Sequence, residues 1–438
     1  MIRPRVGPPS CKRSRRLVGG RVAASGEALV GVGMRDQWPY LASAPRANVV
    51  EGPGVIAERQ MMTTVRNQLP PVVPLPRLSR RLRIGMVAPA WFAVPPAGYG
   101  GIERVVSVLT EGLVAAGHDV TLFAAAGSRT DARLVTPLQS PPPLGDLASM
   151  TDDLVHCTTA FLRADEFDII HDHTGMGPAL GALLNGCTPV VHTLHGPWTA
   201  PGRRLLALTD ERVHAVAISR AQRAGNPQLH CAGVVYNGID VAAHPFRRVK
   251  EDFLLFVGRI SAEKRPEEAI EVARRAKLPL VMVIKRNEPA ERAYFDEVVA
   301  PHLGDDVVVL DQPSHEVKVD LMGRARALVF PIDWPEPFGL VMTEAMACGT
   351  PVITRPLGAA PEIVTDGVTG FLCSTKGEMV DAVTAAAELR PEDCRFRVEK
   401  LFSAQAMVAG YESVYHAALV SSRRTDYQGP RQRIAELA

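Results

Sequence analysis

From Arg83 onward, short apolar runs alternate with longer segments of helical period, and the alternation occurs in two series. The first contains RIGMVA (Arg83 to Ala88), DVTLFA, FDIIH, TPVVHTLH, VHAVAIS and GVVYNG, with stretches such as GIERVVSVLTEGLVAAG between them. The rhythm pauses at the polar NGIDVAAHPFRRVKED. It restarts with FLLFVGR, LPLVMVI, DVVVLD and ARALVFP, separated by segments such as RPEEAIEVARRA. Strand, helix, strand order with apolar strands is satisfied by a parallel sheet covered on both faces. A chain of 438 residues, 46% hydrophobic, has material for two or three cores. The expected fold class is therefore α/β: two Rossmann-like doubly wound domains facing each other across a cleft, with ligands at the carboxyl ends of the strands. The expected boundaries are 82–243 and 244–402, followed at 403–438 by a C-terminal helix and tail that can pack on either domain.

Residues 1–81 read differently. Arginine is frequent, Pro and Gly interrupt the chain, and LPPVVPLPRLSRRLR has the composition of a linker. The expectation is a disordered extension, with Met61 or Met62 as an alternative start that mass spectrometry of the native amino terminus would test. A formal charge of +2 gives no overall basic field, so nucleic acid is not an expected partner. No apolar run spans a bilayer and no secretory core is visible, which leaves peripheral membrane contact open. Seven cysteines without a CxxC pair fit a reducing compartment, hence the cytoplasm.

The stretch EPFGLVMTEAMACGTPV carries two glutamates, Glu336 and Glu344, eight positions apart. Pro337 and Gly339 oppose a continuous helix from Glu336, so the helix is expected to start near Gly339. Eight residues of helix rise about 12 Å. Acid and nucleophile pairs of glycoside hydrolases stand about 5–9.5 Å apart, so the spacing disfavours that chemistry. A helix amino terminus offers backbone amides at Gly339, Leu340 and Val341 to an anion. Glu344 can then accept from a diol such as a ribose, and Glu336 from hydroxyls on the other side of the phosphates. Together these describe a nucleotide-sugar pocket. The alternative for Glu344 is a solvated first-turn residue favoured by the helix dipole.

FVGRISAEKRP places Arg259 at a strand end and Lys264 in the following loop, within reach of one diphosphate or simply on the surface. PPAGYGGIERVV is a Gly-rich turn suited to close backbone approach, but GYGGIE lacks the spacing of a dinucleotide fingerprint. IIHDHTG and VVHTLHGP carry His171, His173, His192 and His195. Histidines at i and i+2 of a strand share a face, so a metal site is one reading and structural or substrate-contacting rings the other. His195, beside Gly196, is the best placed for a ligand.

The segment from about Arg83 to Val420 resembles the family-four retaining glycosyltransferases of GT-B architecture. The motifs that carry the likeness are GYGGIERVV, TLHGP, YNGID, VGRISAEK, EPFGLVMTEAMACGTPV and GAAPEIVTDGVTGFL. The resemblance implies sugar transfer from a nucleotide diphosphate sugar, with no metal cofactor. It implies Glu336 on the donor sugar's hydroxyls, Glu344 on the ribose, and Arg259 and Lys264 on the diphosphate with the amides of Gly339 to Val341. It places His195 beside the transferred sugar, and Gly100 and Gly101 on the phosphate and acceptor side. Arg265 stands where that family usually has Gly, and Lys285 follows LPLVMVI in place of a Gly-rich turn, so the base pocket departs from the pattern. Domain closure is expected, with 237–250 as hinge. Rival readings are a metal-dependent hydrolase built on the four histidines, a nucleotide-sugar epimerase and a non-catalytic nucleotide-sugar binding protein. The acceptor is not readable.

Overall fold

The computed structural model describes residues 80–142, 147–184, 188–209 and 213–422, together with the backbone of a two-residue strand β1, Val22–Ala23. The expected disordered extension over 1–81 and the tail after 422 lie almost wholly outside the described residues.

The first sheet contains β2 (Arg83–Val87), β3 (Asp119–Phe123), β4 (Arg133–Val135), β5 (Ile169–Asp172), β6 (Val190–Leu194), β7 (Val213–Ala217) and β8 (Cys231–Val234). The second contains β9 (Glu251–Arg259), β10 (Leu280–Lys285), β11 (Val307–Asp311), β12 (Ala325–Phe330), β13 (Val352–Thr354) and β14 (Gly370–Leu372), with β1 paired to β11. All pairings are parallel. The spatial orders are β4-β3-β2-β5-β6-β7-β8 and β1-β11-β10-β9-β12-β13-β14. Apart from the edge strand β1, in each sheet the chain starts in the middle and winds outward both ways. This creates a switch point between β2 and β5 and another between β9 and β12, and crevices for ligands open at such points.

Helical spacing covers these strands. Gly101–Ala115 buries Val105, Val106, Leu109 and Leu113 against Ile84, Met86 and Leu122. Full burial of such a side chain contributes about 1.5–3 kcal/mol.

The last described helix, Ala404–Ser422, leaves the second domain and packs on the first. Met407, Val408, Tyr411, Val414 and Tyr415 join the first domain's core. A Cβ at Gly112 would fall 2.6 Å from Val408 Cγ2, so the missing side chain is what lets the two helices touch. The chain therefore crosses between domains twice. Ile239 N donates to Phe402 O (2.9 Å) and Ala404 N to Ile239 O (3.0 Å), so the expected hinge segment is tied to the returning chain. Among the described residues, no helix is long and apolar enough to cross a membrane.

Candidate active site

A cavity of about 590 Å³ opens between the carboxyl ends of the two sheets. The helix Leu340–Ala347 starts there, one residue beyond the switch-point loop, and Gly339, Leu340 and Val341 line the cavity. Gly339 has φ +89°, a left-handed conformation, and a Cβ there would meet Met342 Cε at 2.5 Å and Glu336 Cγ at 3.2 Å. Only glycine lets the chain turn into the helix while Glu336 stays beside it. Opposite, Gly101–Ala115 begins at Gly101, where a Cβ would stand 3.6 Å from Leu340 Cδ1. Two helix amino termini, each with a partial positive charge, thus meet across the cleft. Gly100 lies beside Gly101 on an adjoining pocket.

Arg259, Lys264 and Glu336 all line the large cavity. The ion pairs among them were not expected. Lys264 Nζ donates to Glu336 Oε2, Trp334 Nε1 donates to the same oxygen at 2.9 Å, and Arg259 Nη2 pairs with Glu263 Oε1 at 2.9 Å. The ammonium also stands 4.9 and 5.0 Å from the ring centroids of Trp334 and Phe330, where the negative π faces favour it. Lysine has three donors, so a phosphate oxygen can share Lys264 without displacing Glu336. The loop around Glu336 is pinned from behind. Ala359 N donates to Glu336 O (2.8 Å), and a Cβ at Gly358, which has φ +57°, would fall 2.3 Å from that oxygen.

Glu344 lies apart from Glu336, in the adjoining pocket of about 150 Å³ with Lys285, His315 and Lys318. It is not a solvated first-turn residue. Its side chain is buried, and Lys318 Nζ donates to both carboxylate oxygens at 2.8 Å. Burial works to raise its pKa, but Lys318 and the neighbouring His244 override this and hold it below the usual carboxylate range. Lys285, at the end of β10, is enclosed by Glu288 (2.8 Å) and Glu291 (2.9 Å) with the Tyr99 ring 4.9 Å away. Arg265 adopts φ +50°, the left-handed conformation, and pairs with Asp333. That backbone is one glycine adopts without penalty.

The four histidines do not form one group: His171, His173 and His195 lie ring to ring, and His192 stands apart. β5 and β6 pair Asp172 with His192, and His192 Nδ1 bonds Asp172 Oδ2 at 2.6 Å on one face of the sheet. His171 is on the other face, held by Tyr415 OH and Thr193 Oγ1, both at 2.7 Å. His173 Nδ1 meets His195 Nε2 at 2.8 Å. Burial and the neighbouring rings push His171, His173 and His195 well below the ordinary histidine value, so they are neutral. No group of three or more His, Cys, Asp or Glu among the described residues is placed to hold a metal ion, and the hydrolase reading of the histidines is corrected accordingly. His195 lines the large cavity, with Nδ1 as the ring atom left for a ligand.

Two family models match end to end: Glycosyltransferase Family 4 over residues 99–243 and Glycosyl transferases group 1 over residues 242–398. The chain belongs to the family-four glycosyltransferases. A glycogen synthase of Mycobacterium tuberculosis is 28% identical over 420 residues, covering 82% of this chain and 99% of that protein. A D-inositol 3-phosphate glycosyltransferase of Mycobacterium bovis is 28% identical over 309 residues, covering 61% of this chain and 64% of that protein. Among solved structures, AviGT4, a glycosyltransferase involved in avilamycin A biosynthesis, aligns with TM-score 0.61 at 26% identity over 77% of this chain and 98% of its own. Anabaena Alr3699/HepE, solved with UDP and glucose, aligns with TM-score 0.60 at 19% identity over 77% of this chain and the whole of its own, a likeness of fold.

The first domain of this glycosyltransferase contributes cavity residues that motif reading did not single out. Asn237 lines the cavity with a buried Oδ1 that has no hydrogen-bond partner among the described residues. So does Asp153, through its Oδ1, and Glu103 stands in the first turn of the helix from Gly101. Burial pushes Glu103 up to about 7, and burial with the nearby Asp172 pushes Asp153 up to about 6. The folded-state value of Glu103 lies above its ordinary 4.5, so its contribution to stability is fully present below pH 4.5 and is lost as pH rises through about 7. Glu103→Gln is therefore expected to match the parent protein near pH 4.5 and to exceed its stability by up to about 3 kcal/mol at pH 8. Paired thermal unfolding curves across that range test this, and a constant difference between the two proteins contradicts it.

Proposed function

We propose that this chain transfers a sugar from a nucleotide diphosphate sugar to an acceptor hydroxyl with retention of anomeric configuration and without a metal ion. The observation that carries the reading is the convergence of Lys264, Glu336 and the helix start at Gly339 on one switch point. In this proposal Arg259 and Lys264 hold the diphosphate with the amides of Gly339 to Val341, and Gly100 and Gly101 face it from the other domain. Glu344, oriented by Lys318, accepts from the ribose. Glu336, fixed by Lys264 and Trp334, accepts from the donor sugar, with the neutral His195 beside it.

The bond from the anomeric carbon to the phosphate oxygen breaks as the acceptor oxygen adds on the same face, and the acceptor proton passes to the departing phosphate oxygen. No protein nucleophile is required. Charge-assisted hydrogen bonds contribute about 1.5–3 kcal/mol each and a helix terminus about 0.3–2. Arg259, Lys264 and the helix start thus supply several of the roughly 8 kcal/mol or more that catalysis needs. Positioning by closure about the doubly crossed hinge supplies the rest. The cytoplasm is the proposed compartment, in keeping with five free described cysteines.

The test is a thermal-shift screen with UDP-, GDP- and ADP-sugars, followed by NMR of the product's anomeric proton with and without EDTA. The expected result is a rise of several degrees with one nucleotide series at about 100 times Kd, retained configuration, and no loss of rate with chelator. An inverted product, or abolition by EDTA, contradicts the mechanism.

A further inference from the structure

The charges that line the large cavity are divided between the two domains. Its cations, Arg259, Lys264 and Lys285, all come from the second domain. The first domain supplies two carboxyls, Glu103 and Asp153, and no Lys or Arg. Glu103 is 4% exposed and Asp153 8% exposed, and neither has an ion-pair partner among the described residues. Asp153 Oδ1 is buried with no hydrogen-bond partner there either. Buried polar groups are normally satisfied, so Asp153 is an acceptor in want of a donor, and Glu103, bonded by its own backbone amide, has acceptor capacity to spare. The nearby Arg104 does not serve them, because its guanidinium is turned to the carbonyls of Pro96 and Gly98 at 3.4 Å.

The same half of the cavity carries aromatic rings, Trp91, Phe92 and Tyr99. Flat apolar surface with acceptors on the same wall suits a pyranose or cyclitol, whose C–H face stacks while its hydroxyls donate. Above about pH 7, where Glu103 joins Asp153 as a carboxylate, a phosphoryl group would meet like charge there and no first-domain cation, which discriminates against it.

We propose that Glu103 and Asp153 select the acceptor of this glycosyltransferase, taking an uncharged polyhydroxylated ring and rejecting its phosphorylated counterpart. The inference rests on the transferase reading of the cleft. It deepens that reading by naming the acceptor class and the residues that read it.

The experiment uses the full chain and measures nucleoside diphosphate release from UDP-glucose, GDP-mannose and ADP-glucose. Acceptors are added as matched pairs: glucose with glucose 6-phosphate, and myo-inositol with inositol 1-phosphate. The expected result is stimulation by an uncharged member with kcat/KM at least about tenfold above its phosphorylated twin. Glu103→Gln and Asp153→Asn should each raise that acceptor's KM about tenfold or more, while the thermal shift given by the nucleotide shows both variants folded. Asp153→Lys should move the preference toward the phosphorylated twin. A phosphorylated twin used equally or better overturns the inference alone. So does donor hydrolysis that no uncharged ring stimulates, or an acceptor KM unmoved in both variants. Failure of every donor to bind or to be hydrolysed overturns the transferase reading as well.

Discussion

Lys264→Ala is expected to lower kcat/KM for the donor by about one to two orders of magnitude, or about 1.5–3 kcal/mol. Two losses arise. The first is a charge-assisted contact to the leaving diphosphate, worth about 1.5–3 kcal/mol. The second arises in the protein itself, because Glu336 is buried beside Lys264 and would retain only the Trp334 indole as a donor. Removing one partner of a buried pair typically costs about 3–5 kcal/mol. The two effects are separable. Lys264→Ala alone should be clearly destabilised in thermal unfolding, whereas Lys264→Ala with Glu336→Gln should recover much of that stability and none of the activity. Glu336→Gln by itself keeps an oxygen for both donors, so it should leave nucleotide affinity near normal and act on kcat. Lys264→Ala with kcat/KM within tenfold of the parent would remove Lys264 from the diphosphate site.

That coupling was invisible in the sequence, although both residues were readable in it. Period and turn chemistry located ten of the strands and the helix start at Gly339, because long Val- and Ile-rich runs and Pro–Gly punctuation act locally. β4, β13 and β14 were not separable by such means: each has only three residues, too few for alternation to register. The packing of Ala404–Ser422 on the first domain was equally unreadable, since an apolar helix face does not name its partner. Its small and aromatic contacts, Gly112 with Val408 and His171 with Tyr415, acquire meaning only once the chain has crossed back. The histidines show the converse. Alternation correctly places His171 and His173 on one face, but register with the neighbouring strand puts His192 on the other, and strand register is a tertiary property. The Gly usual in place of Arg265 is explained by the left-handed backbone there, which this chain keeps while adding an ion pair to Asp333.

Lys318 is the clearest case of a site residue without a sequence signal, and it yields a sharp pH prediction. It lies on the helix His315–Arg324, 26 positions before Glu344, and becomes its partner only through helix packing. The groups facing Glu344 are Lys318, His244, His315 and Arg104. His244 approaches to 4.0 Å, and burial holds His244 and His315 below the ordinary histidine value, so neither replaces a fixed cation at neutral pH. In the parent protein the Glu344 value is depressed. Its stabilisation is present above pH 4.5 and lost only as pH falls through the lower folded value. Lys318→Met leaves burial opposed chiefly by Arg104, which makes no ion pair or hydrogen bond with Glu344, so the sign reverses and stability is lost as pH rises through a raised value. The variant should therefore be close to the parent near pH 5 and about 3–5 kcal/mol less stable at pH 8, the cost of an unpaired buried carboxylate. Nucleotide affinity should change with it. The ratio of parent to variant Kd, measured by calorimetry from pH 5 to 8, should vary with pH as the variant's carboxyl titrates, with the parent's ribose contact constant throughout. A ratio independent of pH, together with a stability difference independent of pH, would mean that Lys318 does not set the charge state of Glu344 and that the diol contact needs another residue.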